Sequence, residues 1–152
     1  MDIATLRDIA EREFQAMEMY TAGDTIEIKP RTPDIYDIDY QSMAYGTVGH
    51  ETESRQVGDE LVEMDLRTFA ILRVNLDKKL FLMGNVNVNP DYRNDGKGRQ
   101  MWLAAERICQ HLGITEISDF VLGHPGEFWK AMGYTAGKTE VGKFPIATKT
   151  LA

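Results

Sequence analysis

The sequence predicts an α/β (α+β) domain, and three observations carry that expectation. An apolar run with strand composition, Leu80 to Val88, is stopped by Pro90. A strongly amphipathic helix follows it, from Gly98 to Leu112. Over the C-terminal two-thirds the elements alternate as β-β-α-β-α-β-β.

Taken in order, the chain opens with a helix from Asp2 to about Tyr20. Ile3, Leu6, Ala10, Phe14 and Met17 recur at spacings of three and four, and Gly23-Asp24 ends the pattern. Between Thr25 and Gly58 the periodicity fades. Pro30, Pro33 and several glycines predict loops there, with short strands or a turn of helix. From Glu60 the pattern is strand-like. A first strand covers Leu66 to Asn75, and Asp77-Lys78-Lys79 turns into the second, over 80–88. That second strand reads as central at its apolar start and as leaving the core where valine and asparagine alternate. In the long helix Met101, Trp102, Ala105, Ile108, Cys109 and Leu112 share one face, and Gly113 sits where a C-terminal cap belongs. A strand over 114–122 and a short helix over 125–132 follow. Two further strands flank Gly142.

With 152 residues the chain suits one domain. No apolar run is long enough to span a membrane, the first residues do not resemble a signal peptide, and one cysteine excludes an internal disulfide. A cytoplasmic protein is expected. The net charge of −7 is unevenly spread. Residues 1–65 hold sixteen acids and five bases, whereas residues 66–152 hold eight acids and twelve bases. An anion is expected against the C-terminal half and a cation against the N-terminal half. No Lys/Arg cluster suited to nucleic acid is present. His50, His111 and His124 lack metal-ligand spacing, so no metal is expected. Gly137-Lys138-Thr139 lacks the earlier glycine of a nucleotide-binding loop. Cys109, on the apolar helix face, reads as a small buried hydrophobe.

The chemistry is concentrated in Asn87-Val88-Asn89-Pro90-Asp91-Tyr92-Arg93-Asn94-Asp95-Gly96-Lys97-Gly98. A strand runs into a glycine-bearing loop and directly into a helix. Such a loop aims unpaired backbone N–H groups at one point beside the positive end of the helix dipole. Glycines let the backbone approach a bulky anion, and Arg93 and Lys97 add charge. These are the parts of a pyrophosphate cradle.

Arg93-x-x-Gly96-x-Gly98 resembles the Q/R-x-x-G-x-G/A signature of the GNAT superfamily of N-acyltransferases. Phe128-Trp129-x-x-Met132-Gly133-Tyr134 resembles the end of that family's fourth helix and the strand after it. The likeness covers about residues 66–152. It implies a mixed, mostly antiparallel central sheet with helices on both faces and a splayed cleft between the fourth and fifth strands. Residues 66–152 would form the acetyl-CoA-binding core, and residues 1–65 a variant acceptor-side region of the same domain. Arg93, Asn94, Asp95, Gly96, Lys97 and Gly98 would hold the pyrophosphate. Val86, Asn87 and Val88 would pair with the pantetheine arm, and Trp129 would line the channel. The acceptor would be a primary amine of a cationic small molecule or protein, with Glu63 and Asp65 as its ligands. Dimers are common among similar proteins; nucleic acid and membrane are not expected partners.

Three departures from the family pattern bear on catalysis. Trp129 stands where many members place a tyrosine acid, which leaves His124 as the nearby group with a suitable ordinary pKa. The strand offers Asn85, Asn87 and Asn89 but no glutamate base. Asn87 is the candidate to order a water or bind the acceptor, unless it serves only the strand end. A helix opens the chain where a strand is usual. Two functions follow: acetyl transfer to an amine by direct attack on the thioester, or a GNAT-like binding module without efficient catalysis.

Overall fold

The computed structural model describes residues 1–17, 24–42, 52–93, 95–120, 126–138 and 145–151. The first helix, α1 (Ile3–Gln15), starts where the Asp2 carboxylate accepts the Thr5 backbone N–H at 2.8 Å. It buries Leu6, Ile9, Ala10 and Phe14 along one stripe, while Ile3 stays largely exposed. The helix is shorter than its periodicity predicts, with Ala16 as its C-cap.

Strands β1 (Thr25–Pro30), β2 (Ile35–Ser42), β5 (Thr68–Asn75) and β6 (Leu80–Asn87) form one antiparallel sheet in the order β1-β2-β5-β6. The segment expected to be mostly loop thus contributes two paired strands. Tyr36-Asp37-Ile38-Asp39-Tyr40 alternates apolar and acidic residues, a period of two that the prolines beside it obscure. Ile28, Ile38, Tyr40, Ala70, Leu72, Val74 and Val86 face the helices. Tyr40 stacks flat on Phe14 with ring centroids 4.3 Å apart and donates its hydroxyl to Asp24. Strands β3 (Thr52–Val57) and β4 (Glu60–Asp65) pair as a separate hairpin. Arg55 ties that hairpin to the strand-to-helix loop through both carboxylate oxygens of Asp91, at 2.7 and 3.2 Å.

The long helix α2 (Lys97–His111) packs beside α1 on the same face of this sheet. All six residues expected on its apolar face are buried. It ends as Gly113 takes a left-handed φ of 77° and Ile114 N–H bonds back to the Cys109 carbonyl. Beyond it, β7 (Glu116–Phe120), α3 (Gly126–Ala131), β8 (Thr135–Lys138) and β9 (Pro145–Thr150) follow, with a second antiparallel sheet in the order β7-β9-β8.

A charged pair closes this half of the core. Lys149 on β9 meets Glu106 on α2 at 2.7 Å, with Glu106 only 4% exposed. Lys149 also donates to the Met132 carbonyl, and Tyr134 donates to Glu106. Tyr134 in turn accepts the Trp102 indole N–H at 2.7 Å. Each buried charge therefore has its counter-charge and further hydrogen bonds, as burial of an ion pair requires.

The expectation for the strand over 80–88 is reversed in one respect. Leu80, Leu82 and Met83 are exposed, and Val86 and Val88 are buried. The cause is a bulge: Arg73 pairs with Met83 and Val74 with Phe81, which leaves Leu82 as an extra residue. The insertion also turns both Phe81 and Gly84 toward α2, where Trp102 covers them.

Candidate functional site

Strands β6 and β7 lie side by side, but among the described residues no backbone ladder joins them, so the two sheets part along this line. One side-chain contact bridges the line: Asp119 on β7 accepts the Gly84 backbone N–H at 3.1 Å. Successive strand residues point their backbone groups to opposite sides. Because Gly84 N–H points toward β7, the N–H and C=O of Val86 point the same way, into the gap. The Val88 carbonyl also turns outward and is taken by Arg93 Nε at 2.8 Å. The cleft expected between the fourth and fifth strands is therefore present, between the last strand of one sheet and the first of the other.

The loop that closes this gap is built from the end of β6. Asn89 N–H bonds Thr68 Oγ1, and the Asn89 side chain donates to the Leu66 carbonyl and accepts from Asp91 N–H. That acceptor starts a 3₁₀ turn over Pro90–Tyr92. Gly96 then adopts φ of 86°, a left-handed conformation in which glycine carries no Cβ penalty. Gly96 caps α2 without offering a side chain to the first-turn N–H groups. A Cβ on Gly98 would meet Val88 and Val86 at 3.6 and 3.8 Å, ordinary contact distances. The first turn of α2 therefore lies against β6 with room for a methyl group but not for a larger side chain. Asp95 pairs with the Lys97 ammonium and reaches the Lys97 N–H at 3.4 Å. Those contacts outweigh its slight desolvation and hold its carboxyl below the ordinary range.

The other expected site residues fall in different settings. Asn87 donates its side-chain N–H groups to the carbonyls of Asp65 and Arg67, and its oxygen accepts from Arg93 at 3.3 Å. Both ends of that amide have partners, and Asn87 fastens β6 to the β4–β5 connection. Arg93 lies folded along β6. Asn85, by contrast, is exposed on the sheet face opposite the helices. The three asparagines look equivalent in sequence, and the fold separates two anchors from one open side chain.

Asp65 is paired with Arg67 at 2.7 Å; burial raises its carboxyl, but the Arg67 bonds outweigh burial and lower it overall. Glu63 is exposed on the hairpin, opposite Ser54. Trp129 is 5% exposed and meets Trp102, Tyr134 and Phe128 edge-on, with centroids 5.2, 5.0 and 5.4 Å away. It is a wall of the core beneath the gap. His124 and Asn94 lie outside the described residues. Among the described residues no group of histidine, cysteine and acids could hold a metal, and no helix is long and apolar enough to cross a membrane.

No family model and no curated protein matches the sequence. Among solved structures, the crystal structure of a Lactobacillus plantarum protein provisionally named an N-acetyltransferase is similar. The likeness spans 98% of this chain and 90% of that one, with a TM-score of 0.51 at 17% identity. At that identity the likeness bears on the fold alone. The chain has a GNAT-like fold.

Proposed function

We propose that this protein is an N-acetyltransferase that moves the acetyl group of acetyl-CoA to a primary amine of a cationic acceptor. One observation carries the reading. The gap between β6 and β7, lined by the outward backbone of Val86, opens at the uncapped N-terminus of α2. A strand edge beside a helix N-terminus suits a ligand with an extended amide arm and an anionic end. The first-turn N–H groups and Lys97 would hold the pyrophosphate, with Asp95 giving up its contact to Lys97. Val86 would pair with the pantetheine amides, and Asn85 would face the acceptor. Bound acetyl-CoA would supply the activated thioester. The similar protein from Lactobacillus plantarum carries an N-acetyltransferase name, which supports the same reading.

A second reading, a GNAT-like module that binds CoA without efficient turnover, is favoured by Trp129. Its indole cannot supply a leaving thiolate with a proton as a tyrosine would. Isothermal titration with acetyl-CoA, beside a Gly98→Glu variant checked for folding by circular dichroism, tests both. A glutamate there projects between α2 and β6 and places a negative charge beside the phosphate position. Micromolar binding by the wild type, lost in the variant, is expected, with acetylation of amines to follow. Binding without turnover on any amine selects the second reading. A wild type that does not bind acetyl-CoA refutes both.

A further inference from the structure

The face of the four-stranded sheet away from α1 and α2 carries one carboxylate, Asp39, with an oxygen that no hydrogen bond meets. Asp39 on β2 lies in register with Glu27 on β1 and Ile71 on β5, and Ile71 with Asn85 on β6. Asp39 Oδ1 is closed to solvent and accepts no hydrogen bond, while Gln41 bonds the same carboxylate. The cations nearest to it also pair with other acids. Lys29 pairs with Glu27 at 3.1 Å, Arg67 with Asp65 at 2.7 Å and Arg73 with Asp37 at 2.7 Å. Burial, joined by the Glu27 charge, pushes the Asp39 carboxyl above its ordinary range against Lys29, Arg67 and Gln41. A carboxylate oxygen left without a hydrogen bond is a cost that a ligand can remove.

Asn85 shares this face two strands away and sits between Gly84 and Val86, the residues that border the gap. Two interstrand spacings separate Asp39 from it, roughly 10 Å. We propose that Asp39 receives a second positive charge of the acceptor, about two strand spacings from the amine that reacts. The acceptor class this selects is extended terminal diamines and polyamines. The inference rests on the acetyltransferase reading for the position of the reacting amine, and on Asp39 alone for the distal cation. Asp37, ion-paired with Arg31 and Arg73, does not compete for it.

The test compares an eight-carbon terminal diamine with the eight-carbon monoamine on the wild type and on Asp39→Asn, by calorimetry. The variant keeps the side-chain shape, and Oδ1 has no hydrogen bond to lose, so the fold is retained. The diamine is expected to bind the wild type about ten-fold more tightly than the monoamine, equivalent to ~1.4 kcal/mol. Asp39→Asn is expected to erase that advantage and leave the monoamine unchanged. In acetylation assays the loss falls on KM for the diamine, with kcat within about two-fold. A diamine advantage that survives in Asp39→Asn, or is absent from the wild type, overturns the proposal. Acetyl-CoA titration separates the two readings. Acetyl-CoA binding without a diamine advantage removes Asp39 and leaves the transferase. Asp39-dependent diamine binding without acetyl-CoA binding does the reverse.

Discussion

Gly84 is the position at which one methyl group tests the architecture around the gap. An alanine there would place its Cβ 2.6 Å from Trp102 Cη2, 2.8 Å from Cζ3 and 3.0 Å from Phe81 Cζ. Relaxed carbon contacts lie at about 3.5–4.0 Å, so roughly 1 Å of displacement is needed. Trp102 cannot readily supply it. The ring is 1% exposed, its N–H is held by Tyr134 at 2.7 Å, and Trp129 stands against it. The strain therefore falls on β6, and the upper part of the overpacking range applies, about 3 kcal/mol. For a chain of this length that lowers Tm by roughly 6–12 °C. Thermal unfolding by circular dichroism measures it, and a double-mutant cycle with Trp102→Phe identifies the cause. Phenylalanine removes Cη2 and Cζ3, so Gly84→Ala should cost under ~1 kcal/mol in that background. Equal costs in both backgrounds, or an unchanged midpoint in the single variant, would refute the close-packing argument.

Three further outcomes are expected. Lys149→Met strands the Glu106 carboxylate in the core and should destabilise the protein by about 3–5 kcal/mol in urea titrations, largely recovered by adding Glu106→Leu. Glu13 accepts from Arg107 at 2.6 Å and contacts His111 at 2.8 Å. Burial raises its carboxyl, but these two partners outweigh burial and depress it overall. Its stabilisation is therefore full above the ordinary glutamate range and lost as pH falls through the lower folded value. Glu13→Gln should cost about 1–2 kcal/mol near pH 7 and nothing at the acid end, read from urea midpoints against pH. Burial pushes the Cys109 thiol up to about 12, with the Glu106 charge adding to it. Reaction with an aromatic disulfide reagent at mildly alkaline pH should then follow the unfolding rate; rapid modification of the native protein would contradict it.

Much of this molecule is legible where a signal is local. The α2 stripe, β5, the loop-to-helix junction and the aromatic sequence at 128–134 each declare themselves within a few residues. The prolines at 30 and 33 mask β1 and β2, whose strand character rests on pairing with residues far along the chain. The exposure of Leu80, Leu82 and Met83 follows from a bulge that composition does not signal. Pairing across distance also hides the Glu106–Lys149 contact. It likewise hides the reason that Asn87 is an anchor, whereas Asn85, two residues earlier on the same strand, is open. Charge balance led to the expectation of a cationic acceptor on the N-terminal half. On the open sheet face the acid with an unbonded oxygen is Asp39, whereas Asp65 is ion-paired with Arg67.

Leu82 has an unusual standing among strand residues. Removing one residue from a regular strand exchanges the two faces of everything on one side of the cut. Removing Leu82 would not: Phe81 and Gly84 would become next-but-one neighbours and keep their common side, and Met83 would keep the other. The chain can therefore drop this residue without scrambling its interior, and would lose only the local bend that the surplus residue imposes. The bulge thus has a discrete genetic handle, a single codon whose deletion straightens β6 and leaves the rest of the pattern intact.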